Sequence, residues 1–222
     1  MRTVNVAGLA LLALAHFGRE TPPLPDPLEG SVTIAEKSGT ARDLDGTVLW
    51  LEGPGLSPPA PRRIEIRMYD KTFTPDLLVA PVGSTIAFPN QDRFDHNVFS
   101  RSETRAFDLN LYGHNESKSI HVDKPGIVRI YCNVHAQMAA AILVYDTPYA
   151  VRADRTGRFA FPDVPRGRYV LHAWHERGGE TRVDVTVPAT NDVVVALDAR
   201  NYRFVQHLDK AGKRYDSRGR RY

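Results

Sequence analysis

From Ser31 to Ala199 the chain repeats one local pattern: short runs of alternating apolar and polar residues, separated by Gly, Pro, Asn and Asp. SVTIAEK, TVLWLEG, RRIEIRMYD, DLLVAPVG, STIAFPN, HNVFS, KSIHVD, IVRIYC and AAILVYD are followed by GRFAFPD, RYVLHAWHE, TRVDVTVP and DVVVALDA. Alternation at period two puts the apolar side chains on one face of an extended strand, and helical periodicity is absent between the runs. Strands this short and closely spaced predict an all-β chain of packed sandwiches rather than a parallel α/β sheet. Helix is expected only as a turn or two within Ala106–Gly113. A length of 222 residues and a hydrophobic fraction of 42% allow one or two domains.

The N-terminus reads differently. A basic start at Arg2 precedes an apolar run from Val4 to Ala15, and Ala13-Leu14-Ala15 has the small-x-small pattern of a cleavage site. The run is too short to span a bilayer and suits a secretory signal over residues 1–15, with an amphipathic N-terminal helix as the alternative. The Pro-rich stretch TPPLPDP then makes residues 16–28 a stiff leader. No other segment approaches transmembrane length. The expected product is a periplasmic or secreted protein, not an integral membrane protein and not a nucleic-acid binder.

Export sharpens the meaning of Cys132, the single cysteine. In an oxidising compartment a lone thiol is protected by burial or occupied by a ligand. In IVRIYC, Val128, Ile130 and Cys132 share one face, so the thiol points inward at the end of a strand. The loop NVHAQM follows, giving the spacing C-x2-H-x2-M with His135 and Met138. Upstream, His96 follows a polar turn and opens the strand HNVFS. Taken singly, Cys132 is a buried hydrophobe and Met138 ordinary core packing. Taken together, one thiolate, two imidazoles and a thioether suit copper in both of its oxidation states.

Residues 62–146 resemble a cupredoxin, the plastocyanin/azurin-type blue copper domain, with a ligand-loop spacing similar to that of amicyanin. DLLVAPVGSTIAFPNQD is similar to the family's second and third strands, and His96-Asn97-Val98-Phe99 to its first-ligand motif. The resemblance implies one copper per chain, cycling between Cu(I) and Cu(II). It implies His96, Cys132 and His135 as equatorial ligands, Met138 as a long axial one, and Asn97 as the neighbour whose hydrogen bonds pin the cysteine loop. Proline is common between the Cys and His of this family, whereas Asn133-Val134 stands here, which leaves the tuning of the site open. The implied role is electron transfer with a redox partner such as a cytochrome c or a periplasmic dehydrogenase. Electrons would pass through an exposed edge of His135 ringed by Val134 and Ala136. No enzymatic activity is expected, because the ligands fill every coordination position. A copper carrier or reservoir is the other reading these residues leave open.

Residues 150–198 resemble a carboxypeptidase regulatory-like domain, a small transthyretin-type sandwich. The matching residues are Asp154, Gly157 and Phe159, then Pro165, Gly167 and Tyr169, with Gly157 and Gly167 placed where hairpins need positive φ. The opening strands of such a domain stand far upstream, in residues 29–53. The copper domain is therefore expected to be inserted into this sandwich, with Thr47–Leu51 sharing a sheet or core with Gly157–Phe161 and Tyr169–Trp174, and Trp50 packing there. The alternative is that residues 30–53 add edge strands to the cupredoxin. The arrangement resembles exported methylamine-utilisation or plastocyanin-like proteins.

The remaining polar residues suggest less. His172 and His175 are three apart on a strand and are not expected to share a metal. His114, His121 and His207 are expected to be solvated, and Asp92 and Asp95 to belong to a solvated turn. His16 would become the new N-terminus after cleavage, without an identifiable copper-binding partner. Residues 199–222 form a basic tail, expected to be unstructured, with an electrostatic handle for an acidic partner or membrane surface as the alternative.

Overall fold

The structure, a computed structural model, describes residues 26–215. The predicted signal, His16 and most of the leader lie outside the described residues. Every regular element among the described residues is a β-strand. The first, Asp26–Glu36, takes in the last residues assigned to the leader, because Leu28 is fully buried in a core.

Strand partners are set by which faces of each strand are apolar. Asp26–Glu36 runs antiparallel to Arg158–Val164 and parallel to Val193–Asp198. Val48–Glu52 lies between Ala150–Arg152 and Gly167–His175, and Gly167–His175 pairs on with Gly179–Val187. Leu28, Ile34, Leu49, Leu51, Phe161 and Leu171 belong to the core that these two sheets enclose. A five-stranded sheet runs Ala106–Tyr112, His96–Arg101, Gly126–Tyr131, Ala139–Tyr145, Leu77–Pro81. It faces a smaller sheet of Ser117–Val122, Ser84–Pro89 and Arg63–Glu65 across a second core that holds Phe88, Val98, Val128, Ile130 and Ile142.

A third apolar cluster joins the two halves. Along Ala139–Tyr145, Ala140, Ile142 and Val144 face the second core while Ala141 and Leu143 face the other way. Along Val48–Glu52, Leu49 and Leu51 face the first core while Val48 faces outward. The outward sets meet, with Leu77 and Trp174, so two sheets stack back to back. This explains why AAILVYD and TVLWLEG read as nearly continuous apolar runs: strands buried on both faces lose their polar alternation. Trp50 corrects the expectation placed on it. It is half-buried against this junction and stacked on His172 at 4.8 Å, because the inward positions of its strand belong to Leu49 and Leu51.

Three further expectations are corrected. Residues 106–113 hold no helix: Ala106–Tyr112 is a strand paired with His96–Arg101. Phe107 and Leu109 alternate at period two, and a bulge between Asp108 and Leu111, with Asn110 at φ 56°, turns Tyr112 inward. Gly157 has the required positive φ of 84°, whereas Gly167 does not; Asp163 takes φ 55° before that hairpin. The tail is not free up to residue 215: Asp209 and Tyr215 are buried.

Candidate metal centre

The five-stranded sheet and the loop that follows Tyr131 bring the predicted donors to one pole. Tyr131 pairs with Phe99, which sets the end of Gly126–Tyr131 beside the beginning of His96–Arg101. The 132–138 loop then closes on itself: the Cys132 N–H donates to the Met138 carbonyl at 3.1 Å, and the Met138 N–H to the His135 carbonyl at 3.1 Å. His135 is thereby folded back over Cys132. Cys132 Sγ stands 3.7 Å from His96 Nδ1 and 3.8 Å from His135 Nδ1. Among the described residues these three form the only group of His, Cys, Asp or Glu donors close enough to share a cation, all within 4.8 Å of one another.

Those separations can be tested against metal bonding. A first-row ion bonded to sulfur at about 2.3 Å and to nitrogen at about 2.0 Å, with roughly 120° between the bonds, needs a sulfur–nitrogen distance of about 3.7 Å. The donor set fits. Cys132 and His96 are fully buried, His135 is 7% exposed and Met138 1%. Burial pushes the Cys132 thiol up from its ordinary pKa, against the N–H groups of Asn97, Val134 and His135 that favour the thiolate. A cation in the cluster would supply the missing compensation for that charge.

His96 is held in one orientation. Burial lowers its pKa and outweighs the opposing effect of Asp92, which favours the neutral imidazole. Asp92 Oδ2 lies 2.7 Å from His96 Nε2 and therefore takes the single N–H, leaving the Nδ1 lone pair facing Cys132. Asp92 also accepts the N–H groups of Asp70 and Lys71 at 2.8 and 3.0 Å. Burial opposes its ionisation, but the bonds from His96, Lys71 and Asp70 hold its pKa below the ordinary value. Asp92 is thus no solvated turn residue, while Asp95 is exposed. Its role is not legible in FPNQDRFDH, since a carboxylate four residues before a histidine is common in loops.

Other expected residues fall in different places. Asn97 reaches the thiol through its backbone N–H, not its side chain. Its amide donates to Asp108 at 2.6 Å, and its Oδ1 is buried without a partner. Ala136 is buried and Val134 half-buried, and His135 itself is 7% exposed, so its imidazole shows only a small part of its surface to solvent. Instead Phe94, 41% exposed, covers the two imidazoles at ring distances of 5.1 and 5.5 Å. His172 engages Glu52 and Glu180 through its two nitrogens, and His175 accepts the Arg177 N–H, so the pair has no common donor direction. His114 and His121 are exposed, but His207 is half-buried on the ring of Tyr131, 4.3 Å away, and burial lowers its pKa.

No protein-family model matches the chain, and no curated protein sequence matches it. Among solved structures it is similar to a copper-containing nitrite reductase (NirK) from Thermus scotoductus SA-01, at 29% identity and TM-score 0.36. That match covers 40% of this chain and 23% of that one. It is also similar to a purple cupredoxin from Nitrosopumilus maritimus, at 19% identity and TM-score 0.34, over 37% of this chain and 99% of that one. A reduced amicyanin variant aligns at 19% identity and TM-score 0.36, over 43% and 98%. Each match covers less than half of this chain.

Proposed function

We propose that this chain is an exported type 1 copper protein that carries single electrons between redox partners. His96, Cys132 and His135 would hold the copper, with Met138 as a weaker fourth donor. The observation that carries the reading is the buried triangle in which one thiol stands 3.7 and 3.8 Å from two imidazole nitrogens. When bound, copper supplies a one-electron couple between Cu(I) and Cu(II). The chain supplies the rest: a neutral His96 whose proton is fixed on Nε2, a thiol among three N–H groups, and a site that water reaches poorly. A buried donor set held by a strand end and a hydrogen-bonded loop resists rearrangement between oxidation states.

Burial also favours this reading over a copper carrier. A carrier needs ligands that open and exchange, whereas His96, Cys132, His135 and Met138 are all buried. The four donors leave no position for a substrate, so we read the protein as a non-enzyme. A protein partner would approach over Phe94, the exposed ring above both histidines. Export rests on the apolar run from Val4 to Ala15, and no helix among the described residues is long and apolar enough to cross a membrane.

We also read residues 62–146 as an insertion into a regulatory-like sandwich made of residues 29–53 and 150–198. The pairing of Val48–Glu52 with Ala150–Arg152 and Gly167–His175 supports this. So does the turn in which Asp154 Oδ1 accepts the N–H groups of Thr156 and Arg158 ahead of Phe159.

The test is the absorption and electron paramagnetic resonance of the copper-loaded protein. One copper per chain is expected, with an intense thiolate-to-Cu(II) band that bleaches on reduction and is lost in Cys132→Ser. A colourless Cu(II) protein with an ordinary tetragonal spectrum would overturn the assignment.

A further inference from the structure

We propose that the C-terminal segment 207–215 is a clamp that fixes the cysteine loop from outside the metal core, with His207, Lys210 and Tyr215 as positioning residues. It grips three consecutive residues. The His207 ring stacks on Tyr131, with 4.3 Å between centroids and 25° between planes. The Tyr215 hydroxyl donates to the Cys132 carbonyl at 2.6 Å. The Lys210 N–H donates to Asn133 Oδ1 at 2.9 Å. A fourth contact reaches the thiol by another route. Lys210 Nζ meets Asp108 at 2.6 Å, Asp108 accepts the Asn97 amide at 2.6 Å, and the Asn97 N–H faces Cys132 Sγ.

The segment is built to hold this shape. The buried Asp209 accepts the N–H groups of Ala211 and Lys213 through Oδ1, and its own N–H donates to the Lys213 carbonyl. The ring of Tyr215 meets His207 edge-on at 5.3 Å. A solvated basic tail has no reason to bury an aspartate and a tyrosine. The Lys210–Asp108 pair is about one-third exposed on each side and contributes little alone, so the buried hydroxyl and the ring stack carry the grip.

The consequence concerns the ligand loop. The Cys132 N–H is already bound to Met138, so the Tyr215 bond leaves both backbone groups of Cys132 held. The thiol then has only its own side-chain torsion to change. The clamp keeps the loop in one geometry with or without metal, and its effect on a reduction potential rests on the copper reading above.

Full-length protein is compared with Tyr215→Phe, with a truncation of residues 207–222, and with a truncation of residues 216–222. In the metal-free proteins, Cys132 alkylation by iodoacetamide at fixed pH should be about five- to tenfold faster in Tyr215→Phe, the ratio expected for one lost hydrogen bond. It should be faster again without residues 207–222 and unchanged without residues 216–222. In the copper-loaded proteins, the charge-transfer band and the reduction potential should shift in the same order. Equal alkylation rates in all four proteins overturn the clamp. So does an equal rise in both truncations, which would assign the effect to tail charge. If the longer truncation fails to fold, Tyr215→Phe decides alone. A full-length protein lacking the charge-transfer band overturns the copper reading instead, and the metal-free rates still decide the clamp.

Discussion

Replacing Asp92 by Asn isolates what the carboxylate does for His96. In the native site, Oδ1 accepts the Asp70 N–H, while Oδ2 accepts both the Lys71 N–H and the Nε2–H of His96. An amide keeps one acceptor and turns the other oxygen into an NH2 group. At the Oδ2 position that group faces two donors, and flipped to the Oδ1 position it faces one, in a site where the Asp92 side chain is 8% exposed. Each stranded buried donor costs about 1–3 kcal/mol, so Asp92→Asn should destabilise the metal-free fold by about 1–3 kcal/mol with one donor stranded and about 2–6 kcal/mol with two. The alternative relaxation is a change of tautomer, which moves the His96 proton to Nδ1, the atom facing Cys132. Either route weakens the site, and copper affinity should fall about 10- to 100-fold. Urea unfolding at neutral pH measures the first effect and a competing chelator the second. The pH dependence supplies a signed check. The folded pKa of Asp92 is lowered, so its contribution is present above 3.8 and lost as pH falls through the lower folded value. The mutant should lack that part of the acid limb. The folded pKa of His96 is also lowered, so stability declines as pH falls below 6.5 in the native protein. A mutant with native stability, acid limb and copper affinity would refute the role given to Asp92.

If Met138 is the proposed fourth donor, Met138→Leu should retain copper and raise the reduction potential, since losing that thioether would disfavour Cu(II) more than Cu(I); voltammetry of the loaded protein checks this. Trp174→Ala should cost about 3–5 kcal/mol in urea unfolding, because Trp174 is 5% exposed in the junction between the stacked sheets. The charge-transfer band should survive that change, as the tryptophan lies outside the core that holds Cys132 and Met138. Gly157→Ala should destabilise by more than about 1 kcal/mol, read as a lower thermal midpoint. Its φ is 84°, and an added Cβ would meet the Val32 carbonyl oxygen at 2.5 Å.

The all-β class and the convergence of the donors in residues 132–138 were legible in the sequence because both depend on neighbours along the chain. Period-two alternation decides locally that IVRIYC is a strand and that Cys132 points inward, and His135 and Met138 follow within one turn of loop. The helix expected near Ala106 was the local misreading, since a bulge at Asn110 hides the alternation of Phe107 and Leu109. What lay beyond the sequence depends on distant partners. Asp92 has the composition of a solvent-facing turn until Asp70, Lys71 and His96 close around it. Trp50 has two faces to choose from, and only the packing of Ala141 and Leu143 against its sheet decides which one is buried. Residues 207–215 have the charge of a free tail, and they are held because Tyr131, Cys132 and Asn133 offer a ring, a carbonyl and an amide at matching positions. Local periodicity determines which way a strand faces; the groups that meet across the fold determine which polar residues are buried, and those groups can lie 83 residues apart, as Tyr215 and Cys132 do.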